Sequence, residues 1–86
     1  MQYFICESSV ETDVFVNIFD NLAMPVTQPW KFQRMSRGAP LSVLLNTDND
    51  KHANVTWQAF DANTRQQISN SESLDVSPMD RILITD

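Results

Sequence analysis

The residues able to do chemistry in this chain are few and scattered. His52 is the only histidine and Cys6 the only cysteine. A nucleophilic site of the Ser-His-Asp or Cys-His kind would have to run through that one imidazole. His52 closes the polar run Asn46-Thr47-Asp48-Asn49-Asp50-Lys51-His52, where it reads as an exposed loop residue. Cys6 lies in the apolar run Phe4-Ile5-Cys6, where a cysteine behaves as a small hydrophobe. No local motif joins the two, so the expectation is a protein without catalysis and without a cofactor.

The carboxylates offer two further possibilities. Asp48-x-Asp50 starts like a calcium loop, but its fifth position is His52 and its sixth Ala53, where an EF-hand needs an oxygen ligand and a glycine. The run reads as a solvated turn, and no metal is expected. Asp20 and Asp61 could form an acid–base pair. Each instead follows an apolar stretch and precedes turn-prone residues, the place where Asp opens a turn by bonding the backbone two residues on. Gly38 is the only glycine, which excludes the glycine-rich cradles that hold nucleotide phosphates.

The basic residues are the most unevenly placed. Lys31, Arg34 and Arg37 are three of the six, and they interleave with Trp30 and Phe32. Stacking platforms for single-stranded nucleic acid combine these residue types. On a regular strand Trp30, Phe32 and Arg34 would share one face. This makes Lys31, Arg34 and Arg37 a candidate anion contact. The net charge of −5 makes nucleic acid an unexpected partner, and the segment reads better as an edge strand kept soluble by its charges.

What must position these residues is a set of short strands. Val14-Phe15-Val16-Asn17-Ile18-Phe19-Asp20 is echoed by Val55-Thr56-Trp57-Gln58-Ala59-Phe60-Asp61. Both read Val-x-apolar-amide-apolar-Phe-Asp. Each is preceded by an apolar run, Tyr3 to Cys6 or Leu41 to Leu45, and each is followed by a turn and a returning strand. Apolar side chains alternate at 14, 16, 18 and at 55, 57, 59, the period of a half-buried strand. Trp30 to Met35, Arg65 to Ser69, Leu74 to Val76 and Arg81 to Thr85 complete the set. Leu41 to Asn46 is apolar enough to be covered on both faces.

A competing reading is α+β. Ser8-x-x-Glu11 is a capping box, and Val14, Phe15, Ile18, Phe19 and Leu22 have helical spacing, which would give a helix over about 9–22. The Val, Phe and Ile content and the weak helix formers Asn17, Asp20 and Asn21 favour strand. The expected fold is therefore mainly β: a small sandwich or barrel of seven to eight short strands in one domain over 1–86, with two similar halves divided near Pro40. With so little glycine, Asn21, Asn49, Asn63 and Asn70 are expected to take the left-handed turn positions.

Composition bounds the function. A chain of 86 residues that is 42% hydrophobic can hold one modest core. One cysteine rules out an internal disulfide. Residues 1–7 carry no basic, apolar leader and the chain has no membrane-length apolar run, so the expectation is a cytoplasmic protein off the membrane. If Val14, Val16 and Ile18 point inward, Phe15 and Phe19 point outward, and Phe60 matches Phe19. Outward aromatics suit an interface. The expected function is a non-enzymatic interaction module or oligomeric subunit that meets a protein partner or its own copy through Phe15, Phe19 and Phe60. The alternative is an acidic inhibitor that mimics nucleic acid, of the type found in phage and mobile elements.

Overall fold

The computed structural model describes all residues, Met1–Asp86. It contains eight strands and no helix: β1 Gln2–Ser8, β2 Val14–Asp20, β3 Thr27–Met35, β4 Leu41–Leu45, β5 Ala53–Asp61, β6 Gln67–Asn70, β7 Leu74–Val76 and β8 Ile82–Ile84. No helix is long and apolar enough to cross a membrane. The capping-box serine has another use: the Ser8 hydroxyl accepts the Val10 amide at 3.1 Å and turns the chain so that Val10 enters the core. Beyond it the period-two pattern prevails, with Val14, Val16 and Ile18 buried and Phe15 and Phe19 facing out.

The strands form two sheets. One has the order β4-β1-β8, antiparallel between β4 and β1 and parallel between β1 and β8. The other has the order β3-β2-β5-β6, all antiparallel, with β7 on the same edge of β5 beyond β6. Their inner faces meet in one cluster of 17 buried side chains. Phe4, Val43, Leu45 and Ile82 come from the smaller sheet, and Val16, Ile18, Val55 and Trp57 from the larger. Each such side chain contributes about 1.5–3 kcal/mol by leaving water. The Ser69 hydroxyl donates to the Thr85 carbonyl and ties the two sheets at their edges.

The repeat in the sequence has a spatial counterpart. Asn17 and Gln58, 41 positions apart, lie directly opposite each other across β2 and β5. Tyr3 and Leu44, at the same offset, lie directly opposite across β1 and β4. The equivalent strands of the two halves thus pair with each other about a local two-fold. The join falls in the 36–40 connection, where Gly38 takes a φ of +78° in the turn closed by Ala39 N–H to Ser36 O.

Two details depart from the sequence expectation. β4 is covered on one face only: Val43 and Leu45 are buried, Ser42 and Leu44 exposed. The left-handed positions outside Gly38 belong to no asparagine. They are Phe32 (φ 50°), Lys51 (φ 64°) and Arg65 (φ 63°). Asn21 is used through its side chain instead. Asn21 Nδ2 donates to Asn54 Oδ1 and Thr56 Oγ1, both at 2.9 Å.

Candidate functional site

The outer face of the larger sheet carries one apolar cleft, and a β-bulge shapes it. Between the pairs Val16–Gln33 and Ile18–Trp30, β2 has only Asn17 while β3 has Lys31 and Phe32. The extra residue reverses the phase of β3, as bulges do. Trp30 therefore turns into the core, while Phe32 stays outside with Arg34. This corrects the regular-strand reading in which Trp30, Phe32 and Arg34 share a face. Phe32 is 50% exposed and left-handed, a conformation rare for a bulky side chain. It is held there by the buried Asn17, whose Oδ1 accepts the Phe32 N–H at 2.8 Å. Asn17 Nδ2 donates in turn to Gln58 Oε1 at 3.1 Å. A second bulge sets Phe19 against Gln28 and Pro29, a position where the missing proline donor does no harm.

Three rings line the cleft. Phe15 and Phe60 are direct cross-strand neighbours on β2 and β5. The Phe32 ring lies 5.4 Å from that of Phe60 with a tilt of 54°, within the range for favourable aromatic pairs. Arg65 forms the fourth wall, and the cleft encloses about 340 Å³. The guanidinium groups of Arg65 and Arg34 lie 5.6 and 5.7 Å from the centre of the Phe15 ring. These are cation–π distances.

The two arginines differ in charge balance. Arg34 is clamped by Asp13: Nη2 and Nε reach Oδ2 at 3.0 and 3.1 Å. The Ser36 hydroxyl donates to Asp13 Oδ1 at 2.8 Å. That hydroxyl and the Arg34 guanidinium hold the Asp13 carboxyl below the usual carboxylate range. Arg65 makes no ion pair and leaves its charge unbalanced at the rim. Its turn is fixed from below. Asp61 Oδ1 accepts the Asn63 and Thr64 amides at 2.8 and 2.9 Å, and the Arg65 N–H donates to the Asp61 carbonyl at 2.7 Å. Those amides, Thr64 first, lower the Asp61 carboxyl.

The remaining candidates lie elsewhere. Phe19 faces outward but stands opposite Thr56, at the far end of β2 from Phe15. Lys31 is exposed beside Phe32, and Arg37 is an exposed residue 3.9 Å from Glu11. Lys31, Arg34 and Arg37 therefore differ in their surroundings, Arg34 alone being firmly paired. Asp20 is buried and structural: it accepts the Leu22 amide at 3.1 Å and the Asn46 backbone and side-chain N–H groups at 2.8 and 2.9 Å. Asp48 Oδ1 accepts the amides of Asp50 and His52. His52 Nδ1 lies 2.7 Å from Asp75 Oδ2, and this bond raises the imidazole pKa. Cys6 is buried against Met35, and burial pushes its thiol up to about 12. No three His, Cys, Asp or Glu side chains cluster closely enough to hold a metal ion.

Two features escape the sequence reading. Arg65 reads only as the start of a strand, because its approach to Phe15 depends on how β5 and β2 pair. The outer face of the smaller sheet exposes Tyr3, Ile5, Leu44 and Leu83. For β1 the signal was present, since Tyr3 and Ile5 alternate with the buried Phe4 and Cys6. Comparison with protein-family models, curated proteins and solved structures finds no match.

Proposed function

We propose that this chain is a non-enzymatic interaction module that receives an apolar side chain of a protein partner in the cleft of Phe15, Phe32 and Phe60. One observation carries the reading. Of the three non-glycine residues with left-handed backbone, two, Phe32 and Arg65, are walls of this one cleft. Such conformations cost on the order of 1–3 kcal/mol each and gather where a site needs them. A partly open pocket with aromatic walls and one charged group matches the general form of a recognition site. The rings also resemble interface anchors in type, large and with few rotatable bonds.

The test is a titration of ¹⁵N-labelled protein with N-acetyl-methionine amide and N-acetyl-leucine amide, followed by amide chemical shifts. Saturable shifts centred on Phe15, Phe32, Phe60 and Arg65 are expected, and they should vanish in Phe60→Ser. Absence of saturation at these amides, or equal response from Tyr3, Leu44 and Leu83, would remove the cleft from consideration.

A further inference from the structure

We infer that the occupant of the cleft is the Ser77–Asp80 turn of a second copy of this chain, with Met79 between the rings and Asp80 against Arg65. The inference rests on the cleft being a binding site and names what fills it. Arg65 asks for an apolar group with a carboxylate beside it, since it brings an unpaired positive charge to the rim of an aromatic pocket. Two large apolar side chains stand almost wholly in solvent, Met24 at 96% and Met79 at 91%. Met24 lies between Ala23 and Pro25, whereas Met79 is followed by Asp80. The Met79 turn is also built in advance. Asp80 N–H donates to Ser77 O at 3.0 Å, and the Ser77 hydroxyl donates to Asp80 Oδ2 at 2.9 Å. Thioether sulfur packs favourably on aromatic rings.

One molecule cannot make this contact with itself. The turn follows Val76, which pairs with Ala53 at the start of β5, while the cleft lies around Phe60 near its end. Along a strand that is about 23 Å. Cleft and turn are different patches at opposite ends of the sheet, so two copies can exchange the contact reciprocally in an antiparallel two-fold pair or repeat it head-to-tail in rings and open chains. One side chain and one ion pair make a small interface, so the dissociation constant should be on the order of 0.1–1 mM.

Charge exchange tests this. Wild type, Arg65→Glu, Asp80→Arg and the double variant are measured by light scattering from about 0.05 to 2 mM, a range that brackets that affinity. Wild type should rise with concentration from 9.9 kDa towards twice that mass or beyond. Arg65→Glu or Asp80→Arg alone should hold at monomer mass. An equimolar mixture of the two single variants should associate again, because both contacts between unlike variants are complementary, and so should the double variant. Met79→Ala, which leaves both charges in place, should weaken association at least tenfold. A wild type that stays monomeric while its cleft still saturates with N-acetyl-methionine amide overturns the choice of occupant and leaves the cleft standing. A monomer whose cleft binds neither amide overturns both. Association that all the variants retain also overturns the inference, and assigns self-contact to another surface such as Tyr3, Leu44 and Leu83.

Discussion

Asn17 is the residue on which the cleft depends without belonging to it. Replacing it by alanine removes two hydrogen bonds of different consequence. The bond from Nδ2 to Gln58 Oε1 joins two side chains, and losing it should cost about 1 kcal/mol. The bond from the Phe32 N–H to Oδ1 has no substitute in the ladder, because Phe32 sits at the bulge. Its loss strands a part-buried donor, a further cost of about 1–2 kcal/mol. Asn17→Ala should therefore destabilise by about 2–3 kcal/mol. Gln58→Ala removes only the first bond, and because the truncation opens the outer face to water beside Asn17 Nδ2 it should cost about 1 kcal/mol. The difference between the two isolates the support of the bulge.

Urea unfolding measures this directly. With a slope of about 1 kcal/mol/M for a small domain, the midpoint should fall by about 2–3 M for Asn17→Ala and about 1 M for Gln58→Ala. The two variants should also differ in function under conditions where both are folded. Asn17→Ala frees Phe32 from its left-handed position and should abolish the saturable response to N-acetyl-methionine amide. Gln58→Ala should keep it. Equal midpoints for the two variants would show that Asn17 does not hold the Phe32 amide. The left-handed Phe32 would then be held by something other than Asn17.

Further predictions follow from the same geometry. Lys51→Gly should stabilise the protein by about 1 kcal/mol, since glycine accepts the left-handed backbone that lysine occupies under strain. Arg65→Gly relieves the same strain but gives up the cation–π contact with Phe15, so thermal unfolding should show a smaller gain. It should also lose self-association, which separates stability from use of the site. The raised pKa of His52, due first to the Asp75 bond and then to the Asp75, Asp48 and Asp50 charges, gives a signed pH dependence. Stabilisation from this pair is complete below about pH 6.5 and is lost as pH rises through the higher folded-state value. Asp75→Asn should flatten that part of the stability profile and return the His52 titration, followed by NMR, towards its ordinary value.

The strands were readable because their causes are local. β-branched and aromatic residues alternate with polar ones at 14–19 and 55–60, and each half repeats that pattern. The outward direction of Phe15, Phe19 and Phe60 follows from the same alternation. Their grouping does not. Whether Phe60 meets Phe15 or Phe19 depends on the antiparallel register of β2 and β5, which brings residues from opposite halves together and sets Phe19 against Thr56 instead. The bulge is equally hidden. Glycine marks many bulges, but here the marker is Asn17, on a neighbouring strand, accepting the Phe32 amide. The asparagines do not take the left-handed turn positions, for a related reason. The Asn21 side chain donates to Asn54 and Thr56, and the left-handed positions fall to Phe32, Lys51 and Arg65.

The repeat explains where the site lies. The local two-fold through Asn17 and Gln58 relates the Phe15–Phe60 corner of the sheet to the corner of Thr56 and Phe19. The scaffold thus supplies the same backbone twice, with one aromatic guaranteed at each corner by the shared Phe-Asp ending of the echo. At the Phe19 corner the second position is Thr56, which accepts a hydrogen bond from Asn21 and joins a polar lattice with Asn54. At the other corner it is Phe15, and two additions have no equivalent in the pattern: the Phe32 bulge and the left-handed Arg65. The conserved part of the repeat builds strands, where each local choice agrees with the fold. The departures from it are strained and outward-facing, and they converge on a single cleft. Strained departures of this kind gather at sites, and this is the ground for the use proposed for the cleft.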